Sequence, residues 1–236
     1  MRINGAAGAA LAIAGLLGAG LSGCSSTPSL SAADLQKRLA DQQAEAGDPP
    51  QSVTCNGDLV GEVGKTTICD VVFSETNSVE ATVTATGVDG SDVSFDVSPS
   101  VTKEQLEKGV SGNDDAQAVT CDSGLEGAVG ASANCEVTVD GVTAKQVIVV
   151  ENVNGLEMDV ATFPVVPREK VQEVLLQKLN ADGTPAETVE CVDDVTARAG
   201  TFGECVAVTG DQKQGYDVTV TNIDGDNVEI EYQNSP

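Results

Sequence analysis

Histidine and tryptophan are absent from this chain of 236 residues, which contains only two tyrosines and four phenylalanines. Without histidine, neither a Ser-His-Asp triad nor a Cys-His pair can form. Carboxylates are plentiful enough for a paired-carboxylate glycosidase, but aromatic platforms for a sugar are scarce. The glycine motifs that bind phosphates or dinucleotides are also missing. We therefore predict that the protein is not an enzyme, has no catalytic residues and needs no cofactor.

Positive charge is scarce as well, because 12 lysines and arginines face 37 aspartates and glutamates, for a net charge of −25. An acidic chain is repelled by nucleic acid and by anionic lipid headgroups, so we exclude nucleic acid as a partner. Solubility on a crowded surface explains this acidity. The alternative explanation is the capture of cations or of a basic partner.

The apolar stretch over residues 3–20 is too rich in glycine and too short for a permanent membrane helix, which needs ~20 strongly apolar residues. Preceded by Arg2, it has the pattern of an export signal. Leu-Ser-Gly-Cys follows at positions 21–24 and resembles the lipobox of bacterial lipoproteins. We predict that residues 1–23 are a signal peptide and that Cys24 carries acyl chains such as palmitate, which anchor the protein to the outer face of the cell membrane. The alternative is a secreted protein that is cut elsewhere.

The six cysteines that follow Cys24 come in three pairs with an equal spacing of 14 positions: Cys55 and Cys69, Cys121 and Cys135, Cys191 and Cys205. Six cysteines can pair in many ways, but the regular recurrence favours one bond within each pair. Such bonds persist in an oxidising compartment, which agrees with export. A metal site is the alternative, but the Cys-x2-Cys spacing and the histidine partners of zinc sites are absent, so we predict no metal.

Other residues recur at the same period as the cysteines. A glycine lies five residues before the second cysteine of every pair, as Gly64, Gly130 and Gly200. A turn motif follows that cysteine at a nearly constant distance, as Val88-Asp89-Gly90, Val153-Asn154-Gly155 and Ile223-Asp224-Gly225. Shared cysteines, glycines and turn residues at one period indicate a three-fold internal repeat.

Each repeat reads as one helix followed by four strands. Ser31 with Asp34 and Thr102 with Gln105 predict the starts of the first two helices, and Pro167 predicts the third. Apolar residues alternate along the third predicted strand, namely Val79, Ala81 and Val83, then Val147 and Val149, then Val218 and Val220. They alternate again along the fourth, namely Val93, Phe95 and Val97, then Leu156, Met158 and Val160, then Val228, Ile230 and Tyr232. Such alternation implies a sheet with one buried face.

A helix is the natural cover for that buried face. We therefore predict an α+β fold of three tandem small domains, each with one helix packed on a four-stranded antiparallel sheet and one internal disulfide. The predicted domains span residues 31–98, 100–163 and 167–233, after an anchoring linker at 24–30. Short linkers at Ser98–Ser100 and Pro164–Pro167 are predicted to separate them.

Some acidic pairs could be taken for metal ligands. Asp89-Gly90-Ser91-Asp92 and Asp224-Gly225-Asp226-Asn227 could offer oxygens to Ca²⁺, but neither fits the twelve-residue EF-hand loop. Hairpin turns already explain both motifs. We predict that Asp114-Asp115 and Asp193-Asp194 are solvated loop charges.

The mature chain resembles a family of uncharacterised secreted domains found in actinobacterial lipoproteins and in some membrane-anchored envelope proteins. The lipobox Cys24 carries this resemblance, together with the paired cysteines, the glycine before each second cysteine, the alternating strands and the closing Asp-Gly or Asn-Gly turn. The third repeat departs slightly, with Ala199 where the others have Val63 and Val129. The resemblance implies a fold and a location but no activity. Secreted inhibitors built from tandem helix-plus-four-strand units share the architecture alone.

Our leading functional hypothesis is an envelope lipoprotein that displays three non-enzymatic binding domains outside the membrane. Its partner would be an envelope protein or a cell-wall ligand. The second hypothesis is a passive spacer or surface coat, and the third is an inhibitor of a secreted enzyme. An exposed apolar or concave patch favours binding, whereas uniformly acidic surfaces favour the spacer.

Overall fold

The computed structural model describes residues 27–114, 116–224 and 227–235 of the chain. Its helices are α1 (Ala32–Ala46), α2 (Lys103–Asp114) and α3 (Arg168–Ala181). The predicted caps are present, since Ser31 Oγ accepts from the backbone N–H of Asp34, and Thr102 and Gln105 bond each other reciprocally. Helix α3 begins directly after Pro167. None of these three helices combines the length and the apolar character that a membrane span requires.

Among the described residues of each repeat, the strand that ends at the first cysteine is short. The strand that contains the second cysteine and the two strands after it are longer. The strands are β1 (Ser29–Leu30), β2 (Ser52–Cys55), β3 (Leu59–Val60), β4 (Thr66–Val72), β5 (Ser78–Asp89), β6 (Asp92–Val101), β7 (Ala118–Cys121), β8 (Leu125–Glu126), β9 (Ser132–Val139), β10 (Val142–Asn154), β11 (Glu157–Val166), β12 (Thr188–Cys191), β13 (Val195–Thr196), β14 (Gly203–Thr209), β15 (Gln212–Asp224) and β16 (Asn227–Asn234). All of their pairings are antiparallel, which confirms the predicted α+β class with antiparallel sheets.

Each repeat contributes four strands in the order of a meander, but only the third sheet stops there. The third sheet has the order β12-β14-β15-β16, whereas the first has β2-β4-β5-β6-β8 and the second has β7-β9-β10-β11-β13. The fifth strand in both cases comes from the repeat that follows. The predicted four-stranded sheet is therefore too small for the first two repeats.

The predicted linkers between repeats are wrong, because Ser98–Ser100 lies within strand β6 and all of Pro164–Pro167 except Pro167 itself lies within strand β11. Strand β6 runs through Ser98–Ser100 and ends by pairing Ser100 and Val101 with β8. Strand β11 likewise pairs its last two residues with β13. Pro99 suggested a break, but it lies where β6 has a neighbour on one side alone, and strands tolerate proline at such edge positions. Consecutive repeats therefore share a strand.

Three clusters of buried residues form the core, one for each repeat. The first gathers around Leu35 and Leu39, the second around Leu106, and the third around Val171, Leu175 and Leu179. The second cluster is the smallest among the described residues. Each cluster contains its own disulfide and one face of its own sheet.

Two details of the predicted alternation are wrong, and both concern the second repeat. Ile148 and Val150 point into its core, rather than Val147 and Val149. The run from Val147 to Val150 is apolar throughout, so it carries no alternation that could define the buried face. Leu156 lies in the turn between β10 and β11 and is buried in the core of the first repeat.

The first two repeats therefore dock against each other in both directions. Met158 packs beside Leu156 against the core of the first repeat. In return, the turn after β4 approaches α2 so closely that a Cβ added at Gly112 would lie 2.7 Å from Thr76 Cγ2. A Cβ at Gly109 would lie 3.4 Å from the Thr76 carbonyl oxygen. The small residues of α2 thus permit an approach that larger side chains would prevent.

Candidate ligand-binding groove

The three disulfides join the cysteine pairs predicted from the spacing. Each links two residues that lie directly opposite each other on neighbouring strands, such as Cys55 on β2 and Cys69 on β4. Because all six described cysteines are bonded in these pairs, none of them carries a free thiol, and all six are buried in the cores. Each disulfide therefore links an edge strand of its sheet to the neighbouring strand. The predicted lipidation site, Cys24, lies outside the described residues.

The loop after the first cysteine of a repeat caps the helix of that repeat. Asp58 Oδ1 accepts from the backbone N–H of Ala32 at 2.8 Å, and Asp194 Oδ1 accepts from that of Arg168 at 3.1 Å. The prediction that Asp194 is a solvated loop charge is therefore wrong. Its carboxylate lies at a helix N-terminus, where the helix dipole favours negative charge. The recurrence of aspartate three residues after the cysteine is the sequence signal that could have identified this cap.

Asp194 also joins the second repeat to the third. Its Oδ2 lies 2.8 Å from Lys145 Nζ on β10. The hydrogen bond from this ammonium group, with that from the Arg168 N–H, lowers the pKa of the Asp194 carboxyl below its usual 3.8. The hydrogen bond to the Asp194 carboxylate in turn raises the pKa of Lys145. Both charged forms are thus stabilised by the contact between the repeats.

The second repeat replaces the capping aspartate with Gly124. A Cβ at this position would lie 2.1 Å from the Val101 carbonyl oxygen and 2.9 Å from the Lys103 nitrogen. The loop therefore lies too close to the start of α2 for any side chain. Helix α2 depends on its local capping box instead, formed by Thr102 and Gln105.

A groove of about 790 Å³ lies between the first two repeats. Its walls are the C-terminal half of α1, the face of α2 that carries Gln105 and Gly109, strand β6, the turn after β4 and the hairpin of β10 and β11. Six buried side chains form the apolar floor, namely Leu39, Val79, Leu106, Leu125, Ile148 and Leu156. Six more are only half-buried along the walls, namely Phe73, Phe95, Val97, Val101, Val110 and Met158. Val160 is 49% exposed there.

The charges around this groove all have one sign. The ionisable residues that line it are Glu45, Asp48, Asp96, Glu157 and Asp159, and each of them is exposed. No lysine or arginine lines the groove, and none of these five carboxylates has an ion-pair partner among the described residues. The groove therefore combines an apolar floor with an uncompensated acidic rim.

The helix of the third repeat contacts both edge strands of its sheet. Helix α3 packs against both β12 and β16, whereas α1 and α2 lie chiefly against the edge strands β2 and β7. Tyr232 on β16 donates to Asp182 Oδ2 at 2.7 Å at the end of α3, and its ring meets that of Tyr216 edge to face. The hydrogen bond to Asp182 raises the pKa of Tyr232. The end of helix α3 is therefore tied to strand β16 in the third repeat.

The groove presents three kinds of polar side chain. Among the described residues that line it, these are carboxylates, amides and the hydroxyls of threonine and serine. Across residues 27–114, 116–224 and 227–235, no three metal-ligating side chains come together. Apolar contact with the floor and attraction to the rim are the two interactions that the groove offers.

Two consecutive segments, residues 13–90 and 92–155, match the family described as a domain of unknown function, DUF4333. The chain belongs to this family. No curated protein and no solved structure shows significant similarity to it. The second matched segment begins with β6, so the family unit starts one strand before its helix rather than at the helix. This frame agrees with the pairing of β6 and β8, which ties the pre-helix strand to the loop that follows the cysteine.

The third repeat lies outside both matched segments, although its strands follow the same order. Its loop has Ala197 where the earlier repeats have Gly61 and Gly127. A Cβ at Gly61 would lie 2.6 Å from a proline carbonyl oxygen, so that position requires glycine in the first repeat. The Ala197 N–H donates to the Pro164 carbonyl at 2.9 Å, which shows the same contact with slightly more room.

Proposed function

We propose that the protein is a cell-envelope lipoprotein that presents three tandem disulfide-stapled domains outside the membrane and binds a partner without catalysing a reaction. Each domain would consist of one helix on the four strands of its meander. The carrying observation is the groove between the first two repeats, which places half-buried apolar side chains beside exposed carboxylates. Apolar wall side chains that stay half-exposed, such as Phe73, Phe95 and Met158, cost stability, which a binding function would explain.

The anchoring part of this proposal is supported by the sequence around Cys24. The first family match starts at residue 13 and extends through the Leu-Ser-Gly-Cys motif, so the family pattern includes this stretch. The disulfides agree with an oxidising compartment outside the cytoplasm. The shortage of lysine and arginine leaves the lipid as the attachment to the membrane.

A passive spacer is the second candidate, and the shared strands favour it. Because β6 and β11 continue into the pairing of the next repeat, bending between repeats would break backbone hydrogen bonds. A spacer needs such stiffness but does not need a groove. Deletion of one repeat would then change only the height of the protein above the membrane.

Photo-crosslinking in whole cells separates binding from spacing. A photoreactive amino acid replaces Gln42, which lies on α1 at the rim of the groove, in the full-length chain. The control replaces Lys178, which occupies the same turn of α3 relative to the buried leucines. Binding predicts a discrete adduct from position 42 and none from position 178. The absence of an adduct from both positions would favour the spacer.

The anchor is tested in the same cells with Cys24→Ala. We expect the parent protein to appear in the membrane fraction and to incorporate a palmitate analogue. The variant should lose the label and leave the membrane. Labelling that persists in the variant would contradict the assignment of Cys24.

A further inference from the structure

We propose that the groove between the first two repeats binds a basic amphipathic peptide segment, rich in lysine or arginine and carrying large apolar side chains. This inference rests on the proposed binding function and names the chemistry of the partner. The rim contributes five exposed carboxylates, from Glu45, Asp48, Asp96, Glu157 and Asp159, with no basic residue among the lining side chains. Complementary charge on the partner would lower the mutual repulsion of these groups and steer the encounter.

The half-buried apolar side chains along the walls determine which apolar groups the partner carries. Half-buried Phe73, Phe95 and Met158 present ring and thioether surfaces that a purely charged peptide would leave exposed to water. Aromatic and methionine side chains at a binding surface bury large areas and adapt to different apolar groups. Leucine or phenylalanine side chains inserted between the repeats would cover this surface, in the manner of an amphipathic segment in a groove.

Other occupants match the groove less well. The anionic headgroup of a lipid or the carboxylate of a fatty acid would meet the acidic rim and be repelled. A second copy of this chain carries a net charge of −25, so two copies repel each other as they approach. A cationic amphipathic segment satisfies both the floor and the rim.

The third repeat supplies a matched control for the rim charges. Asp96 on β6 pairs with Thr84, and Glu231 on β16 pairs with Thr219 at the same distance from the bulge in each sheet. Asp159 on β11 pairs with Asn152, just as Glu229 on β16 pairs with Asn222. Replacing either couple by lysine changes the net charge equally, but only Asp96 and Asp159 line the groove.

The binding test titrates the full chain into a fluorescent lysine–leucine peptide of fixed sequence and follows its anisotropy at low and at physiological salt. We expect saturable binding that weakens as salt is added. The Asp96→Lys/Asp159→Lys variant should lose at least tenfold in affinity, while the Glu229→Lys/Glu231→Lys variant should stay within twofold of the parent. Asp96→Asn/Asp159→Asn should fall between them, which guards against misfolding caused by the reversed charges. Thermal unfolding checks that all the variants keep their fold.

Besides a failure of the lysine–leucine peptide to bind, three outcomes would overturn the inference. The first is equal affinity for a glutamate–leucine peptide of the same pattern, or for a fatty acid. The second is an equal loss in both lysine variants, because net charge alone would then explain the binding. The third is self-association of the parent that Asp96→Lys/Asp159→Lys abolishes, which would assign the groove to a second copy. If peptide binding fails while the adduct from position 42 persists, the partner chemistry is wrong but the binding function stands. If both are absent, the proposed function fails as well.

Discussion

Replacing Leu156 by alanine tests whether the second repeat is docked on the first. This side chain is only 2% exposed and belongs to the buried cluster of the first repeat, although it follows Gly155 in a hairpin turn of the second. The corresponding turn of the first repeat carries Ser91, which is exposed. A leucine at the tip of a hairpin is buried only if another part of the protein covers it.

The expected cost follows from the buried side chain and from the freedom of the turn to move. Burying a leucine contributes about 1.5–3 kcal/mol, and truncating one in a rigid core costs roughly 2–5 kcal/mol because a cavity remains. A hairpin can withdraw from its neighbour and reduce that cavity, so the lower part of the range applies. We expect Leu156→Ala to lower the free energy of unfolding by about 2–3 kcal/mol.

Urea unfolding and native-state hydrogen exchange measure this effect together. Beyond the loss of stability, we expect faster exchange in α1 and β5 of the first repeat, which the substitution does not touch along the chain. Ser91→Ala is the matched control and should change the stability by less than about 0.5 kcal/mol, as a surface substitution. A loss below that value for Leu156→Ala, or faster exchange confined to the second repeat, would refute the docking of the two repeats.

Three further predictions concern the disulfide of the second repeat, the contact made by Asp194, and Gly124. Replacing Cys121 and Cys135 by alanine should cost roughly 3 kcal/mol and unfold the second repeat first, because its core is the smallest among the described residues; separate urea transitions would reveal this. Acid should weaken the contact made by Asp194: its pKa is lowered in the folded protein, so its stabilisation is present above the usual 3.8 and is lost as the pH falls through the folded-state pKa. Calorimetry at pH 5 and pH 3 measures the loss. Gly124→Ala should cost about 1–3 kcal/mol, since its Cβ would overlap the backbone before α2, and urea unfolding is the measurement.

Each of these predictions has its own control. Replacing Cys191 and Cys205 should cost a similar free energy yet leave the third repeat folded, since α3 covers its sheet more completely; equal unfolding of both repeats would contradict the role of core size. Asp194→Asn should remove part of the acid dependence, and an unchanged profile would show that other carboxylates cause it. Gly57→Ala meets nothing within 4 Å, so it should be neutral, and a loss as large as that of Gly124→Ala would mean that the crowding is not the cause.

Local patterns predicted the parts of the fold that depend on neighbouring residues. The helix starts at Ser31 and Thr102 follow from capping residues three positions apart. The hairpin turn at Gly90 follows from a glycine that adopts a positive φ of 63°. The predicted linker at Pro99 was wrong, because a proline excludes a strand only where the strand is paired on both sides. The sequence does not show which positions of a strand are paired. The role of Leu156 was misread because alternation identifies a face but not the surface that covers it.

The groove illustrates what lies beyond such patterns. Its lining residues come from the first and second repeats and are distant along the chain, so no local motif brings Glu45 and Asp159 to one rim. Asp194 was predicted to be a solvated charge for the same reason. Its partners lie on α3 and β10, so nothing close to it in the sequence indicates that it caps a helix. Family membership describes the unit but not the contact between units.

By itself, the sequence determined the composition of the repeat, the pairing of its cysteines, the helix starts and the antiparallel turns. These features depend on spacing, on backbone conformations available to glycine and proline, and on side chains that bond to their own backbone. Only the tertiary structure decided that strands are shared between repeats, that Leu156 docks on the first core, and that a groove with an acidic rim forms between the first two repeats. The physical reason is that packing between repeats depends on shape and charge at surfaces that distant residues build together.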